Sequence, residues 1–302
     1  MSGISTNRTD ITLPSEISAE ILQKVQEESA VMRLARQVRL PGNGLTIPVI
    51  TSDPTAAWVA ETDEKPVSNP GLSTKLMEAY TLSVLVPFSN QFRRDAAGLY
   101  DELVRRLPGA LSYLFDQTVV GAVAKPGANF DNFAACTAQS LVATVGYSAY
   151  NGIVAAFQDI AVSGFMLNGF ALSPAAQGIL LNATDSDGRP LFINSTAEGV
   201  PARIIGAPTY GARGIYKAGT AAAGSSSGSP AIVGIAGDWS QAMYGTVEGV
   251  QVAYSDQATL TDGTTQINLF QRNMFALRCE IEVGFRANTS AFNLLTGAIP
   301  EA

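Results

Sequence analysis

Residues 45–86 read LTIPVITSDPTAAWVAETDEKPVSNPGLSTKLMEAYTLSVLV, and the fold turns on how this stretch is parsed. Leu45-Thr46-Ile47-Pro48-Val49-Ile50 has the pattern of a strand, and Tyr80 to Val86 alternates in the same way. Between them stand Asp53-Pro54, the isolated Trp58, the charged run Glu61-Thr62-Asp63-Glu64-Lys65, and then Pro66, Pro70 and Gly71. That segment has no apolar periodicity with which to build a core. The spacing predicts an extended hairpin over residues 45–83. A lone two-stranded ribbon is marginal in water, and a projecting tryptophan gains nothing from exposure, so the arm needs a surface supplied by something else. Another copy of the chain is one such surface. The competing reading is a solvated insertion without structure.

Working outward, Pro14-Ser15-Glu16 opens a helical pattern in which Ile17, Ile21, Leu22, Val25, Val31, Met32 and Leu34 recur at three- and four-residue intervals, and Pro41-Gly42-Asn43-Gly44 ends it. This stripe has no partner next to it in sequence and must dock on the body or on a neighbour. Beyond the hairpin, a long helix is predicted from Ser89 or Asp95, with Leu99, Leu103, Leu107, Leu111, Leu114, Phe115 and Val119 on one side and a bend or restart at Pro108.

After the breaker Lys125-Pro126-Gly127, helices are predicted at Ala149 to Ile160 and Pro174 to Leu181, the latter with proline in its first turn. Extended segments are expected at Phe165 to Leu172, Leu191 to Ile193, Arg203 to Ala207, Ile232 to Ala236, Thr246 to Tyr254, Ile267 to Phe270 and Met274 to Phe285. The small, polar run Ala218 to Ser229 reads as a surface loop. The class is α+β: a body assembled from distant parts of the chain, with a second domain inserted.

The chain has 302 residues and 46% hydrophobic content, enough for one large or two modest cores. Its 19 basic and 26 acidic residues leave a net charge of −7, which disfavours tight nucleic-acid binding, since that affinity comes from neutralising phosphates. Cys136 and Cys279 have no C-x-x-C spacing and read as buried, reduced thiols. Neither a secretory signal nor an apolar run of membrane-spanning length is present in the sequence.

Histidine is absent from the sequence, which removes Ser-His-Asp and Cys-His catalysis together with imidazole metal sites. Gly224-Ser225-Ser226-Ser227-Gly228 has the letters of a hydrolase elbow but lies in low-complexity sequence without a base. Asp185-Ser186-Asp187-Gly188 begins like a calcium loop and lacks its closing glutamate. No phosphate-binding glycine motif occurs. The expectation is therefore no catalytic residue, no metal and no cofactor.

Read in order, these segments resemble the major capsid proteins of tailed double-stranded DNA bacteriophages, of the Hong Kong 97-type fold. Glu28 to Ala35 running into Leu45 to Val49 resembles the family's N-terminal arm, and Trp58-Val59-Ala60-Glu61 with Lys65-Pro66 and Ser68-Asn69-Pro70 its extended β-hairpin loop. Asp95 to Val123 is similar to the spine helix. Gly237-Asp238-Trp239-Ser240-Gln241-Ala242 resembles a family signature, and Leu269-Phe270-Gln271, Ala276-Leu277-Arg278, Val283-Gly284-Phe285 and Ala291 to Gly297 resemble the closing strands.

The resemblance implies an N-terminal arm at 1–44, the hairpin loop at 45–83, a peripheral domain at 84–130 and 263–302, and an inserted axial domain at 131–262. It also implies a non-enzymatic shell protein of the virion, assembled in the host cytoplasm through hexamers and pentamers around DNA touched non-specifically. Portal, scaffold and decoration proteins are the partners implied, with no membrane. Ile17, Ile21, Val25, Trp58, Glu61, Lys65 and Lys75 are the candidate inter-subunit contacts. The arm pattern starts within the first fifteen residues, which implies a separate scaffold protein, a prior cleavage or none. Some members cross-link through a loop lysine and a neighbour's asparagine; Lys65 and Lys75 lie in the right arm without a matching asparagine and glutamate, so no cross-link is expected. An encapsulin-like compartment enclosing cargo protein is the alternative with the same fold.

Overall fold

The computed structural model of the chain describes residues 24–299 apart from 27, 43, 53, 61–63, 70, 92–96, 143–148, 185–186, 188, 190, 193–202, 222–227 and 263–264. In chain order, helix Ala30–Leu34 leads into β1 (Arg36–Arg39), then β2 (Leu45–Ser52), β3 (Gly71–Met77), β4 (Tyr80–Ser89) and the long helix Ala97–Val120. The middle of the chain holds β5 (Thr137–Ser140), helix Ala149–Val162, β6 (Gly169–Leu172), helix Pro174–Leu181, β7 (Arg203–Ile204), β8 (Ala207–Gly211) and β9 (Ile232–Gly237). It closes with β10 (Ala242–Thr246), β11 (Gln251–Ser255), β12 (Thr259–Asp262), β13 (Thr265–Asn268), β14 (Met274–Ala287) and β15 (Phe292–Thr296).

Two sheets organise these elements. One is built on β14, which pairs antiparallel with β4, β10 and β11, while β1 adds to β10 in parallel. The other runs β5-β15-β9-β6-β8-β7 and carries helices Ala149–Val162 and Pro174–Leu181. The sheets are joined by the chain itself. After β9, Asp238 caps a short turn at Trp239–Gln241 and the chain becomes β10; after β14, Asn288 caps an equivalent turn at Thr289–Ala291 and the chain becomes β15. The two crossings bond to each other, Asp238 N to Ala291 O at 3.0 Å and Asn288 N to Gln241 O at 3.1 Å. Thus β9–β15 and β10–β14 run on from each other as antiparallel ladders across a paired step, with one register shift between Leu295 and Thr296.

An aromatic cluster fills the space beneath this step. Phe133, Phe285, Phe292 and Trp239 are almost wholly buried, and Phe133 meets Trp239 and Phe285 edge-on, with ring centroids 6.1 and 5.7 Å apart. Such pairs contribute about 0.5–1.5 kcal/mol beyond their burial. The Trp239 indole N–H is satisfied by Gly169 O at 3.0 Å. The Gly237–Ala242 run is therefore a structural joint: its tryptophan belongs to the core.

The long helix is a single run of 24 residues with Pro108 inside it, so of the bend or restart expected at that proline the restart does not occur. Ser112 Oγ donates to Pro108 O at 2.8 Å. The helix stops at Gly121, whose φ of +84° is open to glycine, and Gly121 N and Ala122 N bond back to Thr118 O and Gln117 O. Helix Pro174–Leu181 starts as its sequence dictates: Ser173 accepts from Ala176 N, and Pro174 takes the first turn.

Several expectations are corrected. The return strand of the hairpin is β3, which pairs with β2 from Leu45↔Met77 to Ser52↔Gly71; Tyr80 to Val86 belongs to β4 and pairs with β14. Arg203 to Ala207 is no single strand. It is β7 turning into β8 at Ile205 and Gly206, with φ of +49° and +78°. Thr246 to Tyr254 is split between β10 and β11, and Leu191 and Phe192 carry no strand. Part of the helical pattern ending at Leu34 is followed by β1 at Arg36. Sheet membership also crosses the boundary at 262/263: β10 and β11 sit in the β14 sheet, and β15 in the sheet of β6 and β9. The paired crossings make the halves interleave in sequence.

Candidate assembly surface

Among the described residues, β2 and β3 pair only with each other. Eight residues at about 3.3 Å each make a ribbon about 26 Å long. Beyond it the described residues have no regular structure, but Ser68 Oγ accepts from Thr55 N at 2.8 Å and holds the two sides together. Trp58 is completely exposed, at 105%, and Val67 is 86% exposed. A bare indole forfeits roughly 2–3 kcal/mol of available burial, a debt that a neighbouring surface removes.

The root of the ribbon is fixed. Met77 is fully buried. Arg286, near the end of β14, donates through Nε to Leu76 O at 2.8 Å, through Nη1 to Asp131 Oδ1 at 2.8 Å and through Nη2 to Asn129 Oδ1 at 2.7 Å. Asp131 Oδ2 also accepts from Ala287 N at 3.2 Å. This knot ties together three segments: the ribbon, the loop after the long helix, and β14. The guanidinium is nearly enclosed and its charge is paired, as a buried arginine requires.

The segment before β1 is held from beneath. Ser29 caps helix Ala30–Leu34, and its hydroxyl donates to Asp116 Oδ1 at 2.6 Å, while Ala30 N donates to Asp116 Oδ2 at 3.2 Å. Asp116 sits in the long helix and is buried. Burial pushes its pKa up to about 7, and the bonds from Ser29 and Ala30 only partly offset that rise. Arg33 lies 4.7 Å from the Tyr210 ring and docks the same helix onto β8.

The expected contact residues separate into groups. Trp58 and Lys65 are exposed on the arm. Val25 is completely buried in its own chain's core. Lys75 bonds within its own chain, to Ala287 O at 3.3 Å and to Asp131 at 3.6 Å. Ile17, Ile21 and Glu61 lie outside the described residues, as do all of Gly224–Gly228 but Gly228, and all of Asp185–Gly188 but Asp187. Sequence reasoning missed Asp116, Asp131 and Arg286; the one available signal was an arginine at the end of the apolar run of β14.

Both cysteines are free; Cys279 is buried as expected, whereas Cys136 is only half-buried, and burial pushes the Cys136 thiol up to about 12 and the Cys279 thiol up to about 11, which favours the protonated form. Among the described residues no cluster of acidic or cysteine side chains is placed to hold a metal, and no helix is long and apolar enough to cross a membrane.

The sequence profile of the phage capsid family matches residues 9–297. The chain is 28% identical to the probable major capsid protein gp17 of Mycobacterium phage L5, over 94% of this chain and 89% of that protein. A solved chain from Gordonia phage Cozz superposes with a TM-score of 0.71 at 22% identity, covering 91% of this chain and 88% of that one. A chain from the capsid of a native GTA particle, computed with C5 symmetry, superposes at 0.60 with 17% identity, over 89% and 90% of the two chains.

Proposed function

This chain belongs to the phage capsid family, and from that premise we propose how it does the work of a major capsid protein, which is to form the shell by gripping its own copies. The observation that carries the mechanism is the β2–β3 ribbon, rooted in its own body by Arg286 and bare at Trp58 and Val67. A self-sufficient monomer has no use for such an arm. Obligate interfaces commonly bury 2,000 Å² or more around large apolar anchors, and Trp58 is the anchor of this type available on the arm.

The finer reading follows the Hong Kong 97-type plan. The β14 sheet with the long helix serves as the peripheral body, and the β6–β9 sheet with its two helices as the axial one. Rings of six and five copies close an icosahedral shell around double-stranded DNA, with the acidic chain touching DNA only non-specifically. Portal and scaffold proteins complete assembly in the host cytoplasm, and Lys75, held by Asp131, is not a cross-linking lysine. Relatives named as phage capsid proteins favour a genome container over a cargo compartment.

The test is to purify the chain expressed alone and with its phage, and to examine it by electron microscopy and nuclease treatment. Closed shells, with nuclease-resistant DNA in the phage-derived particles, are expected. A monomer at every concentration overturns the reading, and shells filled with protein cargo replace it with the compartment reading.

A further inference from the structure

Asp116 is 1% exposed, and two segments distant from it in sequence cover it. On one side Ser29 Oγ donates to Oδ1 at 2.6 Å and Ala30 N to Oδ2 at 3.2 Å, while the same serine hydroxyl accepts from Met32 N at 3.1 Å. On the other side Gly214 lies so near that a Cβ on it would stand 2.6 Å from the Cβ of Asp116, and its neighbours Ala212 and Ile215 are buried. The charged and titratable groups on these elements are Lys24, Glu28 and Arg33 beside the first cover, Arg213 and Tyr216 on the second, and Tyr113 on the long helix itself. Among the described residues none of them bonds to the Asp116 carboxyl. Arg33 lies 4.7 Å from the Tyr210 ring instead, and a Glu28 oxygen stands against Gly109, earlier in the long helix. An ionised carboxylate at this place therefore has neutral donors, no cation and no water to replace its lost hydration.

We infer that Ser29, Ala30 and Asp116 form a proton-gated latch, closed over the neutral acid and opened as the carboxylate forms, so that rising pH lifts helix Ala30–Leu34 off the long helix. A purely structural contact would need no charge, because an asparagine offers Ser29 or Ala30 the same acceptor. The sign follows from burial. With the segment in place the pKa of Asp116 is raised from 3.8 to about 7, and lifting the segment returns the group to water and to its ordinary value. The closed state thus holds the proton more tightly, and between about 4 and 7 each pH unit favours opening about tenfold. Val25, Val31 and Met32 are buried along with the latch, so the open state is the minor one and the proton sets how minor it is. The movement ends at β1, which begins one residue after the helix and is held by β10 from Arg36 onward.

The latch does not rest on the assembly proposed above and is read on the full chain by amide hydrogen exchange at pH 5 and pH 7. The protection of residues 30–34 is divided by that of β15 in the same molecule, which cancels the chemical pH dependence of exchange. The ratio is expected to fall at least about tenfold from pH 5 to pH 7 in the parent, and by less than about twofold in Asp116→Asn. A constant parental ratio overturns the latch: it means that Asp116 acts, if at all, only through unfolding of the whole chain. An equal fall in Asp116→Asn overturns it as well, since the proton then sits elsewhere. Where the variant does not fold, the parental ratio decides alone, a fall supporting the latch and a constant value refuting it.

Discussion

Arg286 Nε donates to the main-chain oxygen of Leu76 at 2.8 Å across 210 positions of sequence. The last long strand thereby sets the direction in which the arm leaves the body. Replacing Arg286 by alanine strips the ribbon root of its donors and leaves Asp131 without its closest cation. A loss of about 3–5 kcal/mol in denaturant unfolding is expected, with Arg286→Lys intermediate because a single ammonium cannot reproduce the fork. Lys75→Ala, which removes a half-exposed pair, is expected to cost less than about 1 kcal/mol. Equal losses for Arg286→Ala and Lys75→Ala would refute the clamp.

The arm tip is predicted to be dispensable for folding and required for assembly. Thr55 and Ser68 face each other, so residues 56–67 can be replaced by a two-residue turn without touching the paired ribbon. The shortened chain is expected to keep its melting temperature within about 3 °C, an effect under about 1 kcal/mol for a domain of this size, and to form no shells. Trp58→Ala alone is expected to leave chain stability unchanged and to weaken shells by about 2 kcal/mol or more per contact, read by denaturant dissociation of assembled particles. Normal shells from the shortened chain would count against the arm.

Asp116 gives the fold a pH dependence of defined sign. Its pKa rises from an ordinary 3.8 to about 7 in the folded chain, so its contribution is complete below about 4 and is lost as pH climbs through about 7. Between those limits the native state binds one proton more than the unfolded one, and stability falls by about 1.4 kcal/mol per pH unit on this account. Asp116→Asn removes that slope while retaining an acceptor for Ser29 or Ala30. The difference in unfolding free energy between parent and variant, followed from pH 5 to 7 by urea titration, is expected to shift by about 2 kcal/mol. Parallel profiles would show that Asp116 does not titrate in this window.

Gly121 is predicted to resist substitution. Its φ is +84°, and a Cβ there would stand 2.6 Å from the Cβ of Ala134. Gly121→Ala is expected to cost more than about 1 kcal/mol in thermal unfolding, the strain and the clash adding. Gly42→Ala, in open space, is the control and is expected to be nearly neutral.

The arm was legible in the sequence because a long polar stretch with Pro54, Pro66 and an isolated Trp58 cannot form a core by any pairing. Its return strand was not, because alternation reports a half-buried strand without naming its partner, and Tyr80 to Val86 alternates more cleanly than Gly71 to Met77. The β7–β8 turn was hidden for a different reason: Ile205 takes a φ of +49°, a conformation that a β-branched residue rarely adopts. Helix Pro174–Leu181 was readable to the residue, since Ser173 and Pro174 are local signals that tertiary packing does not override. The Arg286 knot joins positions 76, 129, 131 and 286, and the Ser29–Asp116 pair spans 87 positions. Local pattern carries no information over such distances.

A container filled from within is stretched in the plane of its wall. In this protein two strands pass from one sheet to the other side by side, and Asp238 and Asn288 pin the passage with backbone bonds to the opposite crossing. To open the seam, tension must break a covalent chain or unzip two ladders at once, end-on, where their bonds share the force. Each copy is therefore expected to stretch as one plate across its two sheets.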